Sequence, residues 1–355
     1  MEDYLKAIQD IIQQAIQSGA SDIHLSPAHY PMMRVDGHLL PLSDMKIVDD
    51  KLTEGIANAM MEESDKKRFE ENKDVDFTYQ LNDSQRFRTN IYRSKGAVAL
   101  VLHAIPQQIK TMEELRLPQT LKMFTNLSQG LVLVAGATGQ GKSATVAALI
   151  DVINKERTEK ILTIEDPIEY IFVPERSIID QREFPNDIVS FDRAIKAVSR
   201  ENINVLMVGE MRDADTINAT IDATETGHLV FSTMYTTSAT RTIERIINLF
   251  PGDQKSQITS QLASSLSGII SQRLIPSVKG GLVPAVEVLV ANRAVRNVIR
   301  AGSPEQLDLI IETGEKEGMV SMNRSLVKLI QQGDITEENA RYYSPSPQEL
   351  KNLLK

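Results

Sequence analysis

The chain contains no cysteine and no tryptophan, and aromatic residues make up only 5% of its 355 positions. Without Cys there is no disulfide, no thiol nucleophile and no zinc site built on thiolates. So few aromatics leave little for a base-stacking platform. Basic charge is not in excess either: 39 Lys and Arg face 48 Asp and Glu, a net of −9. Sequence-independent grip on nucleic acid needs a basic footprint, so no nucleic-acid partner is expected. No run approaches the roughly 18 uncharged apolar residues of a transmembrane helix. The opening Met1-Glu2-Asp3 lacks the basic and apolar regions of a signal peptide. A cytoplasmic location is expected, with membrane reached only through partners. What is present is ordinary globular material, 41% hydrophobic and 25% charged with 18 Gly and 14 Pro. At 100–200 residues per domain the length suggests two domains.

The first part reads as a small α+β module. Leu5, Ile8, Ile11, Ile12, Ala15 and Ile16 recur at helical spacing, and Ser18-Gly19 closes that helix. Short alternating strands follow, with Asp36-Gly37 as a hairpin signal. A charged helix is expected over 50–72, then strands at 75–80, 86–92 and 97–105. From Gly130 the pattern changes to compact apolar runs, Leu131–Ala135, Lys160–Ile164, Val205–Val208 and His228–Thr233. Buried parallel strands read in this continuous way, which predicts a doubly wound α/β core. Beyond residue 250 the chain looks helical, at 252–273, 292–301, 304–313, 321–332 and 336–343. The domains are placed at 1–104 and 119–355, with 105–118 as linker.

Chemistry enters at Gly136-Ala137-Thr138-Gly139-Gln140-Gly141-Lys142-Ser143, a full G-x-x-x-x-G-K-[ST] match between an apolar strand and an Ala-rich helix. Glycines let backbone N–H groups wrap phosphates, and the helix N-terminus adds partial positive charge. Lys142 would reach the β- and γ-phosphates and the Ser143 hydroxyl would bind Mg²⁺. From average residue usage, a chance match in such a chain has odds of roughly one in a hundred. The cofactors implied are ATP and Mg²⁺. Such a site also needs one carboxylate for the metal and one to orient the attacking water. Glu210, after Val205–Gly209, and Glu165, after Ile161–Ile164, both follow apolar strands. Ligands bind beyond the carboxyl ends of strands in these sheets, so both are candidates. Spacing alone leaves open which does what.

The segments Ile161–Tyr170, Val208–Asp213, Thr226–Ala239 and Ala294–Arg300 resemble motifs of the type II/type IV secretion ATPase superfamily, and within it the pilus retraction ATPases. Gly19–Leu25 and Arg34–Gly37 resemble its N-terminal domain, so the likeness spans most of the chain. The resemblance implies a PAS-like N-terminal domain, a RecA-like P-loop NTPase domain with helical C-terminal additions, and a homo-hexameric ring that works against an inner-membrane pilus platform protein. It implies that Glu165 is the general base and that Glu210 serves Mg²⁺. Ala144 continues the phosphate loop, and His228 matches the first histidine of a nucleotide-sensing box. Arg88, in Arg86-Phe87-Arg88-Thr89-Asn90, resembles an arginine that reaches nucleotide as a finger. Arg93 and Lys95 align less well. Arg296, Asn297 and Arg300 match a helix that couples the motor to its load.

Several positions depart from the family pattern. Ile203-Asn204 replaces a usual Pro-Asp, and Tyr235 stands for the second histidine. His103 stands where an arginine is expected, and Gln140 and Ala144 where Ser and Thr are commoner. Val295, Val298 and Ala301 replace Ile, Leu and a closing Glu around the coupling helix. His24, His29 and His38 show no metal-ligand spacing with acidic partners, and the 13 Met are scattered as core filling. Zero Cys and the immediate start disfavour an assembly ATPase with a four-cysteine zinc motif. A weakly catalytic regulatory ring subunit is the other alternative.

Overall fold

A computed structural model describes residues 2–35, 37–82, 85–105 and 108–355. The chain forms two compact units, Met1–Gln108 with Pro167–Ile171, and Ile109–Asp166 with Phe172–Lys355.

In the first unit, α1 (Glu2–Gln17) buries Ile8, Ile11, Ile12 and Ala15, the stripe its spacing requires. Then come β1 (Asp22–Leu25), β2 (Met32–Val35) and β3 (His38–Pro41). Asp36 of the hairpin signal lies outside the described residues, while Val35 pairs antiparallel with His38 on either side of the turn. The expected helix over 50–72 is two helices, α2 (Asp50–Met60) and α3 (Glu63–Asn72). The break has a local cause. Glu62 caps α3, and the Asp65 side chain accepts from the Glu62 N–H to complete a capping box. Strands β4 (Asp74–Asn82), β5 (Gln85–Ser94) and β6 (Ala97–Ile105) finish an antiparallel sheet of order β3-β2-β1-β6-β5-β4. Ile8, Ile12, Ile23, Leu25, Ile56, Ile91, Leu100 and Leu102 form its core.

The second unit carries β7 (Gly130–Ala135), α4 (Lys142–Glu156), β8 (Lys160–Glu165), β9 (Ile178–Glu183), α5 (Phe191–Ala197), β10 (Val205–Val208), α6 (Ala214–Glu225) and β11 (Leu229–Met234). Helices α7 (Ala239–Asn248) and α8 (Lys255–Ser265) follow, then β12 (Leu266–Pro276) and β13 (Leu282–Val290). The chain closes with α9 (Arg293–Arg300), α10 (Leu307–Thr313), α11 (Met322–Gln331), α12 (Glu337–Tyr343) and α13 (Pro347–Leu353). The sheet order is β13-β12-β7-β11-β10-β8-β9, parallel except for the β12–β13 pair. Every residue of β7, β10 and β11 is buried, as expected of strands covered on both faces.

The helical expectation after residue 250 is corrected over 266–273, and β13 carried no expectation at all. Helix α8 stops at Ser265, and the chain continues as β12 beside β7. Burial between two neighbouring strands decides this, because an apolar run such as Leu266-Ser267-Gly268-Ile269-Ile270 has no period of its own. Gly268 fits that slot because a Cβ there would sit 2.2 Å from the Phe124 ring.

Candidate active site

The phosphate-loop sequence leaves β7 at Ala135 and enters α4 at Lys142, so it crosses the carboxyl edge of the parallel strands. Gly141 precedes the helix at φ +76°, in the left-handed region. A Cβ on it would meet Gln272 Nε2 at 2.9 Å, and one on Gly136 would meet the Gln272 carbonyl oxygen at 2.8 Å. The loop is therefore pressed onto β12. Gln272 Nε2 donates to the Gln140 carbonyl at 2.7 Å, and its Oε1 accepts from the Thr145 hydroxyl at 2.7 Å. In return the Leu274 N–H donates to Gln140 Oε1 at 2.7 Å. Ala137, Thr138 and Gly139 are exposed at the loop's outer turn, and Ser143 and Ala144 are half-buried in the first turn of α4.

Lys142 is 94% buried, its exposure being 6%. Its Nζ donates to the Ala137 carbonyl at 3.0 Å and lies 3.8 Å from the centroid of the Tyr235 ring. Tyr235 follows β11, and the Gly136 N–H donates to the Met234 carbonyl just before it. Tyr235 thus stands directly against the lysine, as a cation–π partner.

The two carboxylates end neighbouring strands. Glu165 terminates β8 and is buried; Thr163 Oγ1 donates to its Oε1 at 2.6 Å and Gln181 Nε2 at 3.2 Å. Glu210 follows β10 across Gly209, whose N–H donates to the Ile164 carbonyl at 2.8 Å. A Cβ on Gly209 would come 3.2 Å from the Ile164 carbonyl and 3.4 Å from Glu165 Cα, so the end of β10 lies close against Glu165. Arg212 Nε donates to Glu210 Oε2 at 2.5 Å, and its Nη1 to Asp166 Oδ2 at 3.0 Å. Burial works against the Arg212 charge, but the bond to Glu210 and the charges of Glu210 and Asp166 outweigh it and raise its pKa. Asp213 ends this motif as the cap of α6, accepting from Thr216 N–H at 2.8 Å. The strand order β7-β11-β10-β8 therefore delivers the loop, Tyr235, Glu210 and Glu165 side by side.

Comparison with known proteins agrees. The family described as type II/IV secretion system proteins matches residues 2–281. The chain is 38% identical over 341 residues to the pilus retraction ATPase PilT of Pseudomonas aeruginosa, covering 96% of this chain and 99% of that one. It is 40% identical over 316 residues to a twitching motility protein of Neisseria gonorrhoeae, covering 88% and 83%. The chain belongs to the type II/IV secretion system protein family. The crystal structure of the pilus retraction motor PilT with bound ADP matches with TM-score 0.87 and 42% identity, over 97% of this chain and 98% of that one. The fold is thus that of a RecA-like secretion ATPase.

Other residues singled out for this secretion-family chain lie elsewhere. His228 precedes β11, at the opposite end of that strand from Tyr235. Six strand residues, roughly 20 Å, separate it from the phosphate-loop edge. There it is buried, with Nδ1 at 2.7 Å from the Ala223 carbonyl and 3.1 Å from the Thr226 hydroxyl. The structure does not bring it to the cluster, and counting residues along a parallel strand is the signal that tells the two box positions apart. Arg88 lies on β5 in the first unit, 3.6 Å from Asp76. On α9, Val295 and Ile299 are buried while Asn297 and Arg300 are exposed. Arg296 is different: it donates to the carbonyls of Ala291 at 2.9 Å, Ala263 at 2.8 Å and Ser264. It clamps the last turn of α8. Sequence reading did not show Gln272, 132 residues from Gln140, or the bridge from Arg212 to Asp166, 46 residues away, since each joins segments distant in the chain.

Proposed function

We propose that the chain is the hexameric ATPase motor that powers type IV pilus retraction, and with it twitching motility, at the cytoplasmic face of the inner membrane. The observation that carries this is the convergence of the Gly136–Ser143 loop, Glu165 and Glu210 at the carboxyl ends of neighbouring parallel strands. Relatives named for pilus retraction and twitching motility support the mechanical task. No helix of the described residues is long and apolar enough to cross a membrane, which fits a motor that meets the membrane through a platform protein.

In this scheme backbone N–H groups of the loop bind the phosphates, and Lys142 turns from the Ala137 carbonyl toward the β- and γ-phosphates. Glu165, oriented by Thr163 and Gln181, takes a proton from the attacking water as the bond between γ-phosphorus and the β-phosphate oxygen breaks, leaving ADP and phosphate. Ser143 and Glu210 are hard oxygen donors of the kind Mg²⁺ takes, and Glu210 already receives one cation, the Arg212 guanidinium. Among the described residues no cluster of three His, Asp or Glu forms a protein-only metal cage, as suits a metal shared with phosphates. When bound, Mg²⁺ would neutralise charge on the phosphates. Arg88 is assigned the transition-state finger in the assembled ring. Asn297 and Arg300 present the polar coupling face.

Tyr235 in place of a histidine favours one second reading, a weakly catalytic regulatory ring subunit. Steady-state phosphate release separates the two. Glu165→Gln should lower turnover by about 10²- to 10⁴-fold. Wild-type turnover no faster than this variant would leave only the regulatory role.

A further inference from the structure

We propose that Gln272 is a positioning residue that holds the phosphate loop in its anion-binding shape, so that β12 sets the affinity for nucleotide. The inference rests on the reading of Gly136–Ser143 as the nucleotide site. A glycine-rich loop is free in solution, and ordering it around a ligand consumes binding energy unless it is already ordered. Here the order is supplied from one strand. The amide of buried Gln272 acts as donor and acceptor at once: Nε2 to the Gln140 carbonyl, Oε1 from the Thr145 hydroxyl, each at 2.7 Å. The first bond grips the loop just before Gly141, and the second grips the first turn of α4.

The first bond also has a direction. In a planar trans peptide the carbonyl and the next N–H point oppositely. Drawing the Gln140 carbonyl toward Gln272 therefore aims the Gly141 N–H away from β12. A second peptide of the strand repeats the grip, Leu274 N–H donating to Gln140 Oε1. Both flanking glycines are closed by the same residue, Gly136 by its carbonyl and Gly141 by its side chain. No hydrocarbon side chain offers this donor–acceptor pair, and a carboxylate offers only the acceptor.

The test is ADP affinity by calorimetry on the full chain, beside the melting temperature without nucleotide and kcat for ATP. Gln272→Leu keeps the buried volume and removes both side-chain bonds. It should weaken ADP binding by about tenfold, the scale of one to two net hydrogen bonds. KM for ATP should rise by a similar factor, with kcat at saturation changed less than about threefold. Thr145→Val, volume-matched, removes the bond to Gln272 Oε1, while Gln140→Ala removes the Leu274 bond and keeps the carbonyl that Gln272 holds; each should weaken ADP about threefold. Lys142→Ala is the control for the site itself. If it binds ADP like wild type, the nucleotide site is elsewhere and the inference falls with it. If Lys142→Ala loses binding while folded Gln272→Leu keeps wild-type affinity, the site stands and Gln272 does not position it. Should Gln272→Leu fail to fold, wild-type ADP affinity in Thr145→Val overturns the inference equally.

Discussion

At the scale of single residues, the contact between Lys142 and Tyr235 is the sharpest departure from the family's pattern. An ammonium over an aromatic face gains about 0.5–2 kcal/mol, more as water is excluded. The contact runs from the Lys142 ammonium to the face of the ring. Tyr235→Phe should therefore bind ADP within about twofold of wild type. Tyr235→Ala should bind it roughly threefold to tenfold more weakly, because the lysine loses its support. Tyr235→His should add an inflection in turnover between about pH 6 and 7, since an imidazole titrates there and a phenol does not. Equal ADP affinity in the Ala variant and wild type would show that the ring is a bystander. Arg212 illustrates the same scale from the other side. Its position in Gly209–Asp213 was plain in the sequence, but its bridge to Asp166, 46 residues away, was not.

At the scale of elements, α9 divides its polar residues between two tasks. Arg296 satisfies carbonyls at the end of α8, where a cation also complements the helix dipole. Burial and the nearby Arg300 charge lower its pKa, the cost of placing a guanidinium there. Arg300 donates to Asn297 Oδ1 at 3.5 Å on the exposed face. Arg296→Ala should therefore cost about 2 kcal/mol and lower the melting temperature by roughly 4–8 °C. Arg300→Ala should leave it unchanged within about 1 °C while abolishing pilus retraction in cells. A melting temperature unaffected by Arg296→Ala would return that residue to the coupling face. Helical spacing sets Val295, Val298 and Ile299 on one face and Arg296 and Arg300 on another, and Val295 and Ile299 are buried while Arg300 is exposed. Spacing could not show that a long arginine reaches back 33 residues to Ala263.

For the whole molecule, the proposed ring is the decisive expectation. With nucleotide present, analytical ultracentrifugation should show a species of six times the chain's mass. Within it, Arg88→Ala should lower kcat by roughly 10³-fold with ADP affinity little changed, as for removal of an arginine finger. A protein that stays monomeric at working concentration contradicts the hexamer. A near-normal kcat in the Arg88 variant returns that residue to its ion pair with Asp76.

The sequence alone determined what local pattern can encode. The glycine spacing and Lys142-Ser143 marked the phosphate loop, the continuous apolar runs marked β7, β8, β10 and β11, and the residues after them marked Glu165 and Glu210. Each of these signals lies within one element or one turn. Tertiary structure decided the rest. Whether Leu266–Ile270 became helix or strand depended on a slot between β7 and β13. The grip of Gln272 on Gln140 joins residues 132 positions apart. His228 and Tyr235 sit at opposite ends of one strand because parallel pairing runs that strand from the far edge of the sheet to the site. Such contacts leave no local trace, because the chain that makes them is brought together only by folding.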